Sequence, residues 1–362
     1  MGSDPICDVD RIDDGASQMG SDPICDVAGW STGRWCGRET PRVTAIVETR
    51  GLVVEFGPTR ALDSLDVTIP PGVTGLVGAN GAGKTTLISV ALGLLRPTSG
   101  EVAVLGLDPG AEGPALRARV GYGPERNVLP DDLRAYDFVR HLAQVKGLPS
   151  DEARSRASDS LYLVGLGEER FRALGTMSTG QRQRVKLAQA IAADPSLIVL
   201  DEPTDGLDPV QRDEVLEIIV DVNRSHGIDV VLSSHVLEEV ERVCDHVVAL
   251  DAGRLIAQGT MAEVAGASGG VEVELVDLAD RPGSVESVVA HLEAAGCSVT
   301  RSASTLVVER ADHEPDDPAG DGATYDAISL AVAESGARIR RLAPRRRSLD
   351  DVFAATGVEV VA

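Results

Sequence analysis

The chain has 362 residues and sets 34 Lys plus Arg against 57 Asp plus Glu, a formal net charge of −23. So acidic a chain repels a phosphate backbone, which argues against a DNA or RNA partner. With 43% hydrophobic and 25% charged residues it is neither disordered nor collagenous, and it is long enough for two domains.

No stretch reaches the roughly 18 consecutive apolar residues that a bilayer-spanning helix needs. The most apolar candidates, around Leu87–Leu95 and Leu197–Leu200, are too short, so the chain reads as soluble and any membrane work falls to a partner. Cys7, Cys25, Cys36, Cys244 and Cys297 form no CxxC pair, which points to a reducing cytoplasm and to neither a disulfide scaffold nor a zinc site. Lys84, Lys146 and Lys186 are the three lysines among the 34 basic residues. An arginine-for-lysine swap follows from GC-rich coding, but the acid excess does not. Acidic surfaces keep proteins solvated in very salty cytosol, where the Debye length falls to about 3 Å at 1 M, so a halophilic origin is expected.

Met1–Val9 recurs unchanged at Met19–Val27, and the stretch 1–43 lacks both apolar periodicity and a signal-peptide core. It reads as a disordered leader or as sequence upstream of the true start. Strands are expected at Ala45–Phe56, Asp66–Ile69 and Val73–Val77, and a buried helix at Thr85–Leu95. Between about residues 130 and 176 the pattern turns all-helical, with Leu142, Val145 and Leu148 on one face and a second amphipathic segment over Ala153–Leu166. Strands return at Leu197–Leu200, Asp229–Ser233 and His246–Leu250, and Gly253–Gly259 closes the segment. Such alternation predicts an α/β core, a parallel sheet covered by helices and carrying a helical insertion.

A glycine-rich break at Gly266–Gly270 opens a second region. There the order strand (Val271–Val276), helix (Val285–Ala295), hairpin (Ser298–Arg301 and Thr305–Glu309), helix (Tyr325–Ser335) and strand (Arg338–Leu342) predicts a small α+β, ferredoxin-like domain. An acidic loop at Asp312–Gly322 interrupts it, and a capped helix is expected from Ser348 through Phe353, stopped at Gly357. The expected division is 1–43, 44–262 and 263–362.

Gly78-Ala-Asn80-Gly81-Ala82-Gly83-Lys84-Thr85 fits GxxxxGK[ST] between an apolar strand and a helix, the setting in which backbone N–H groups cradle phosphates. Lys84 then reaches the terminal phosphates, and the Thr85 hydroxyl is placed for Mg²⁺, with Thr86 next in the chain. Leu197-Ile-Val-Leu-Asp201-Glu202-Pro203 is an apolar strand ending in two carboxylates. Asp201 suits Mg²⁺ ligation through water, and Glu202 suits activation of the water that attacks a γ-phosphate.

Met177-Ser178-Thr179-Gly180-Gln181 resembles the LSGGQ signature, Asp205-Gly-Leu-Asp208 the D-loop, and Ser233-Ser-His235 the switch-histidine loop of ABC transporter ATPases. The resemblance spans roughly 44–259 and implies a P-loop NTPase cassette that binds ATP and Mg²⁺. It also implies a head-to-tail pair in which each ATP lies between the phosphate loop of one copy and the signature of the other. Ser178, Gly180 and Gln181 would then reach the γ-phosphate across the dimer. His235 would touch it within the same chain as part of the catalytic set, Asp208 would couple the two sites, and Phe56 would stack on adenine. Two positions depart from the family pattern. Thr179 replaces a glycine, and Glu125 stands where a glutamine is usual; as a carboxylate it keeps an oxygen for Mg²⁺ but loses the amide donor.

His141, His226, His246, His291 and His313 are isolated from other ligand types and read as surface or core residues, Cys244 and Cys297 as core, and the arginines of 338–347 as balance for acidic neighbours. The tail Ser348-Leu-Asp-Asp-Val-Phe353 resembles that of export-type ABC ATPases. The resemblance implies the ATP-hydrolysing subunit of an exporter, cytoplasmic and held on the membrane by a separate permease, working as a pair of identical chains. The rival reading is a soluble ABC ATPase acting on ribosomes or DNA. Against it, the chain holds one cassette and lacks a coiled coil between the phosphate motifs.

Overall fold

The structure is a computed structural model. It describes residues 45–126, 129–265, 267–276, 284–302, 305–310, 320–346 and 348–355. The repeated leader, His313, most of the acidic loop and Gly357 lie outside these residues.

In chain order, β1 (Val47–Phe56) turns through Gly57, at φ 60°, into β2 (Thr59–Ile69), and β3 (Val73–Val77) leads through the glycine loop into α1 (Lys84–Ala91). The first half of β2 lies outside the expected Asp66–Ile69 because Ala61, Leu62 and Leu65 are the apolar residues of Thr59–Leu65 and do not alternate with the polar ones. Helix α1 is shorter than expected because Gly93, at φ 67°, and Pro97 stop it before Leu95. Then come β4 (Ser99–Val104), α2 (Gly113–Arg119) and β5 (Val120–Gly123), none of which the apolar pattern predicted.

The helical insertion consists of α3 (Ala135–Val145) and α4 (Ser150–Leu163), followed by α5 (Thr179–Ile191). Its packed face differs from the expected one. Ala135, Val139 and Ala143 are buried on α3, whereas Val145 is exposed and Leu142 only partly covered. Against them stand Ala153, Ala157 and Leu161 of α4. Small side chains let these helices approach closely, and the larger apolar residues are left at the rim.

The core continues with β6 (Leu197–Asp201), α6 (Pro209–His226), β7 (Asp229–Ser234), α7 (Leu237–Val243), β8 (His246–Asp251), β9 (Arg254–Thr260) and α8 (Met261–Ala265). Strands β5-β6-β7-β3-β8 run parallel in that order, with β9 antiparallel at the edge. A three-stranded antiparallel sheet, β2-β1-β4, shares one apolar cluster with it, in which Leu52, Leu62, Leu76, Leu87, Leu197 and Leu250 are all buried. Each such side chain contributes about 1.5–3 kcal/mol on leaving water.

The C-terminal part holds β10 (Ala267–Leu275), α9 (Ser284–Ala294), β11 (Cys297–Ser302), β12 (Thr305–Arg310), α10 (Gly320–Ser335), β13 (Ile339–Arg346) and α11 (Leu349–Ala355). The glycine stretch is no linker: Ala267 pairs with Arg346 and Gly270 with Glu309, so β10 begins inside it. The antiparallel sheet has the order β11-β12-β10-β13, and Val271, Val273, Leu306 and Val308 turn one face toward Val288, Leu292 and Ile328 of α9 and α10. Arg345 pairs with Glu309 and Asp351, and Arg340 with Glu274, in keeping with the charge-balancing reading of this run. Ser348 and Asp351 form the expected capping box on α11. Leu349 and Phe353 are buried where α11 meets α7 and α8. Among the described residues no helix is long and apolar enough to cross a membrane.

Candidate phosphate site

In an open parallel sheet, ligands gather beyond the carboxyl ends of the strands. Here β7 lies between β3 and β6, with Val77 opposite Ser234 and Asp201 opposite Ser233. That order inserts the Ser233–His235 segment between the glycine loop after β3 and the carboxylates after β6, bringing together segments more than 100 residues apart in the chain.

The result is a cleft of about 400 Å³ lined by Asn80, Gly81, Gly83, Lys84, Thr85, Thr86, Glu125, Glu202 and His235 of the expected set, together with Ala61, Ala79 and Asp205. A larger hollow of about 840 Å³ lies beside β1, β4 and α2, but none of the phosphate motifs opens into it. Ala61 escaped the sequence reading because no motif marks it. The β1–β2 hairpin carries it to the loop, where a Cβ on Gly83 would stand 2.9 Å from the Ala61 carbonyl oxygen. Gly83 also has φ 107°, so this position needs glycine for conformation and for space.

Lys84, 6% exposed, donates from Nζ to the Gly78 carbonyl at 2.6 Å and stands 3.5 Å from Glu202 Oε1. The other oxygen of Glu202 is 2.8 Å from His235 Nδ1. Both carboxylate oxygens are therefore oriented. The backbone of Glu202 is held as firmly, because its N–H donates to Ser233 Oγ at 2.9 Å and its carbonyl accepts from Gln183 Nε2 at 3.3 Å. Its φ of 48° is a left-handed conformation that a non-glycine residue keeps only where its surroundings enforce it. Asp201, 2% exposed, lies behind the cleft wall, with Oδ1 accepting from the same Ser233 hydroxyl at 2.7 Å.

Glu125 is exposed at the cleft, and its carbonyl accepts from Lys186 Nζ at 3.0 Å. Burial pulls the Lys186 ammonium down to about 8, while the field of Asp201, Asp205 and Glu125 acts in the opposite sense. The lysine scarcity of this chain now has a pattern. Lys84, Lys146 and Lys186 each donate to a backbone carbonyl.

Ser178, Gly180 and Gln181 do not line this cleft. Ser178 and Gln181 close a capping box on α5, and a Cβ on Gly180 would press on Gln211 of α6. Thr179 is exposed, with room for its side chain. Asp208 caps α6 through the Gln211 N–H at 2.9 Å. Phe56 is 51% exposed at the end of β1 and also stands outside the cleft lining.

The donor set fits a nucleoside triphosphate with Mg²⁺. A glycine-rich turn, a lysine and a helix start suit the phosphates. The hydroxyl of Thr85 and the carboxylates of Asp201 and Glu125 are hard oxygen donors of the kind Mg²⁺ takes. Among the described residues no three His, Cys, Asp or Glu side chains cluster as a metal site.

The family model described as ABC transporter matches residues 62–205. The daunorubicin/doxorubicin resistance ATP-binding protein DrrA of Streptomyces peucetius is 33% identical over 318 residues, 86% of this chain and 92% of that protein. The methionine import ATP-binding protein MetN of Mesorhizobium japonicum is 37% identical over 219 residues, 59% of this chain and 60% of that protein. Among solved structures, cbiO1 of Clostridium perfringens, part of the ABC transporter complex cbiONQ, matches with TM-score 0.56 and 30% identity over 61% of this chain and 91% of its own.

Proposed function

The chain belongs to the ABC transporter ATP-binding proteins, and from that membership we propose that it hydrolyses ATP to drive a separate integral permease that exports its cargo. The observation that carries the chemistry is Glu202, whose two oxygens are held by Lys84 and His235 in the lining of a phosphate-sized cleft. The export direction is supported by the reach of the likeness to a resistance protein. Its 318 aligned residues cover 86% of this chain and so run past residue 262 into the C-terminal part.

In this reading the backbone N–H groups of Asn80–Thr86 hold the phosphates and Lys84 neutralises charge on the terminal ones. Thr85, Glu125 and, through water, Asp201 would hold Mg²⁺, which when bound would neutralise phosphate charge. Glu202 accepts the proton of the attacking water, and His235 fixes the carboxylate and contacts the γ-phosphate. Phe56 stacks on adenine. Ser178, Gly180 and Gln181, outside their own chain's cleft, serve the site of a second copy, and Asp208 links the two sites. The ATPase domain spans 44–262 and the accessory domain 263–362. The permease holds the pair at the cytoplasmic face of the membrane, and no nucleic acid takes part.

Purification of the tagged chain from detergent-solubilised membranes, with identification of what remains bound, tests the assignment. An integral membrane protein whose presence raises the ATPase rate is the expected result. Ribosomal or DNA-bound partners in its place would overturn the transport reading.

A further inference from the structure

Glu239, in the first turn of α7, is buried more deeply than a helix-surface carboxylate should be, at 5% exposure. Its Oε2 accepts from Thr204 Oγ1 at 2.7 Å and from Ser234 Oγ at 3.2 Å. Arg212 Nε stands 3.0 Å from Oε1, oriented for an ion pair and not for a hydrogen bond. Burying a carboxylate costs more than burying an apolar side chain of the same size. Packing of α7 alone therefore does not account for it.

The three partners share a relation to the site. Thr204 follows Glu202 by two residues, Ser234 directly precedes His235, and Arg212 lies one turn beyond Asp208. A single carboxylate thus ties the segment after the strained Glu202 to the segment that carries the histidine, and both to the start of α6.

We propose that Glu239 is a positioning residue for hydrolysis, clamping Thr204 to Ser234 so that Glu202 and His235 keep their 2.8 Å pairing. It is not among the residues that line the cleft, so it acts through Thr204 and Ser234. The proposal rests on the reading that Glu202 and His235 act on the water and the γ-phosphate. Removing the clamp lets Glu202 relax from its left-handed conformation, and a displacement of about 1 Å in a reacting group can cost about 100-fold in rate. The phosphate loop, which Glu239 does not contact, keeps its hold on nucleotide.

The test uses the full chain with Glu239→Leu, Glu239→Gln and Thr204→Val, measuring kcat, KM for ATP and the stoichiometry of a fluorescent ATP analogue bound per chain. Glu239→Leu should lower kcat about tenfold or more while KM moves less than about twofold and binding stays near one per chain. Glu239→Gln keeps an oxygen for Thr204 and Ser234 and should recover most of kcat, with Thr204→Val between. A wild-type kcat in Glu239→Leu overturns the proposal. Where the Leu variant still binds nucleotide, so does a kcat loss that only tracks a partial loss of bound nucleotide, or a Gln variant no better than the Leu one. Should Glu239→Leu bind no nucleotide, Thr204→Val decides: reduced kcat at full stoichiometry supports the clamp, and wild-type kcat overturns it. Glu202→Gln is run in parallel. Near wild-type hydrolysis there removes the site reading and this proposal together, whereas loss there beside a fully active Glu239→Leu removes the clamp alone.

Discussion

His235 Nδ1 and Glu202 Oε2 meet at 2.8 Å across 33 residues of sequence, and the strand order β3-β7-β6 is what brings them together. Because Lys84 approaches the opposite oxygen, the carboxylate is turned so that it cannot swing freely. Glu202→Gln keeps the size of the side chain and removes the carboxylate proposed as the base. ATP hydrolysis should fall by about 10²–10⁴-fold, the range seen when a general base is lost. Nucleotide binding should persist, and ATP left at the interface should hold two copies together. Gel filtration of the variant with ATP should then show a dimer where the wild type returns to monomer. A variant that hydrolyses ATP at the wild-type rate would move the catalytic role elsewhere.

Lys84→Ala should fail differently. The ammonium is buried and hydrogen-bonded within its own loop, and it supplies the positive charge closest to the phosphate-binding turn. Its loss should weaken nucleotide binding itself, by more than about tenfold in Kd measured with a fluorescent analogue, as expected for a lost charge-assisted contact of about 1.5–3 kcal/mol. Unchanged Kd with lost hydrolysis would assign Lys84 to the chemical step.

Much of this site was legible because its motifs are contiguous. The glycine loop, the Asp201–Glu202 strand end and the Ser233–His235 segment are each a short run, and the sheet order brings the three together. What escaped the sequence depends on tertiary partners. Ala61 reaches the cleft through a hairpin, and Glu239 finds Thr204 35 residues away with no spacing rule to announce it. Among the elements, β4 and α2 were missed because Ser99–Glu101 is exposed and Gly113–Arg119 buries only Gly113 and Leu116, leaving little apolar period to read. The face of α3 was misassigned because the helix packs through alanines, which carry weak hydrophobic signal beside Leu142 and Val145.

The acid excess carries a prediction of its own. With a net charge of −23, self-repulsion opposes the compact state at low ionic strength, and about 1 M salt shortens the Debye length to about 3 Å. Melting temperature and ATPase rate should both rise between dilute buffer and molar KCl. Full activity and an unchanged melting temperature in dilute buffer would count against a halophilic adaptation.

A last prediction concerns the end of the sheet opposite the site. Two carboxylates meet the turn into β3: Asp229 Oδ1 accepts from the Gly72 N–H at 2.9 Å and Asp245 Oδ2 from the Val73 N–H at 3.1 Å. Burial pushes the Asp229 carboxyl above its ordinary 3.8, with the Gly72 hydrogen bond only partly offsetting it. Between 3.8 and that raised value the folded chain holds more protons than the unfolded one, so this group lowers stability as pH climbs through the window, and the loss persists above it. Asp229→Asn keeps the oxygen that accepts from Gly72 and removes the charge. Its melting temperature should exceed that of the wild type at pH 7, and the margin should shrink toward pH 4 as the wild-type carboxyl takes up its proton in the fold. Melting curves followed by circular dichroism at both pH values check this. A margin that is equal at the two pH values, or larger at pH 4, would show that desolvation of Asp229 does not govern the difference.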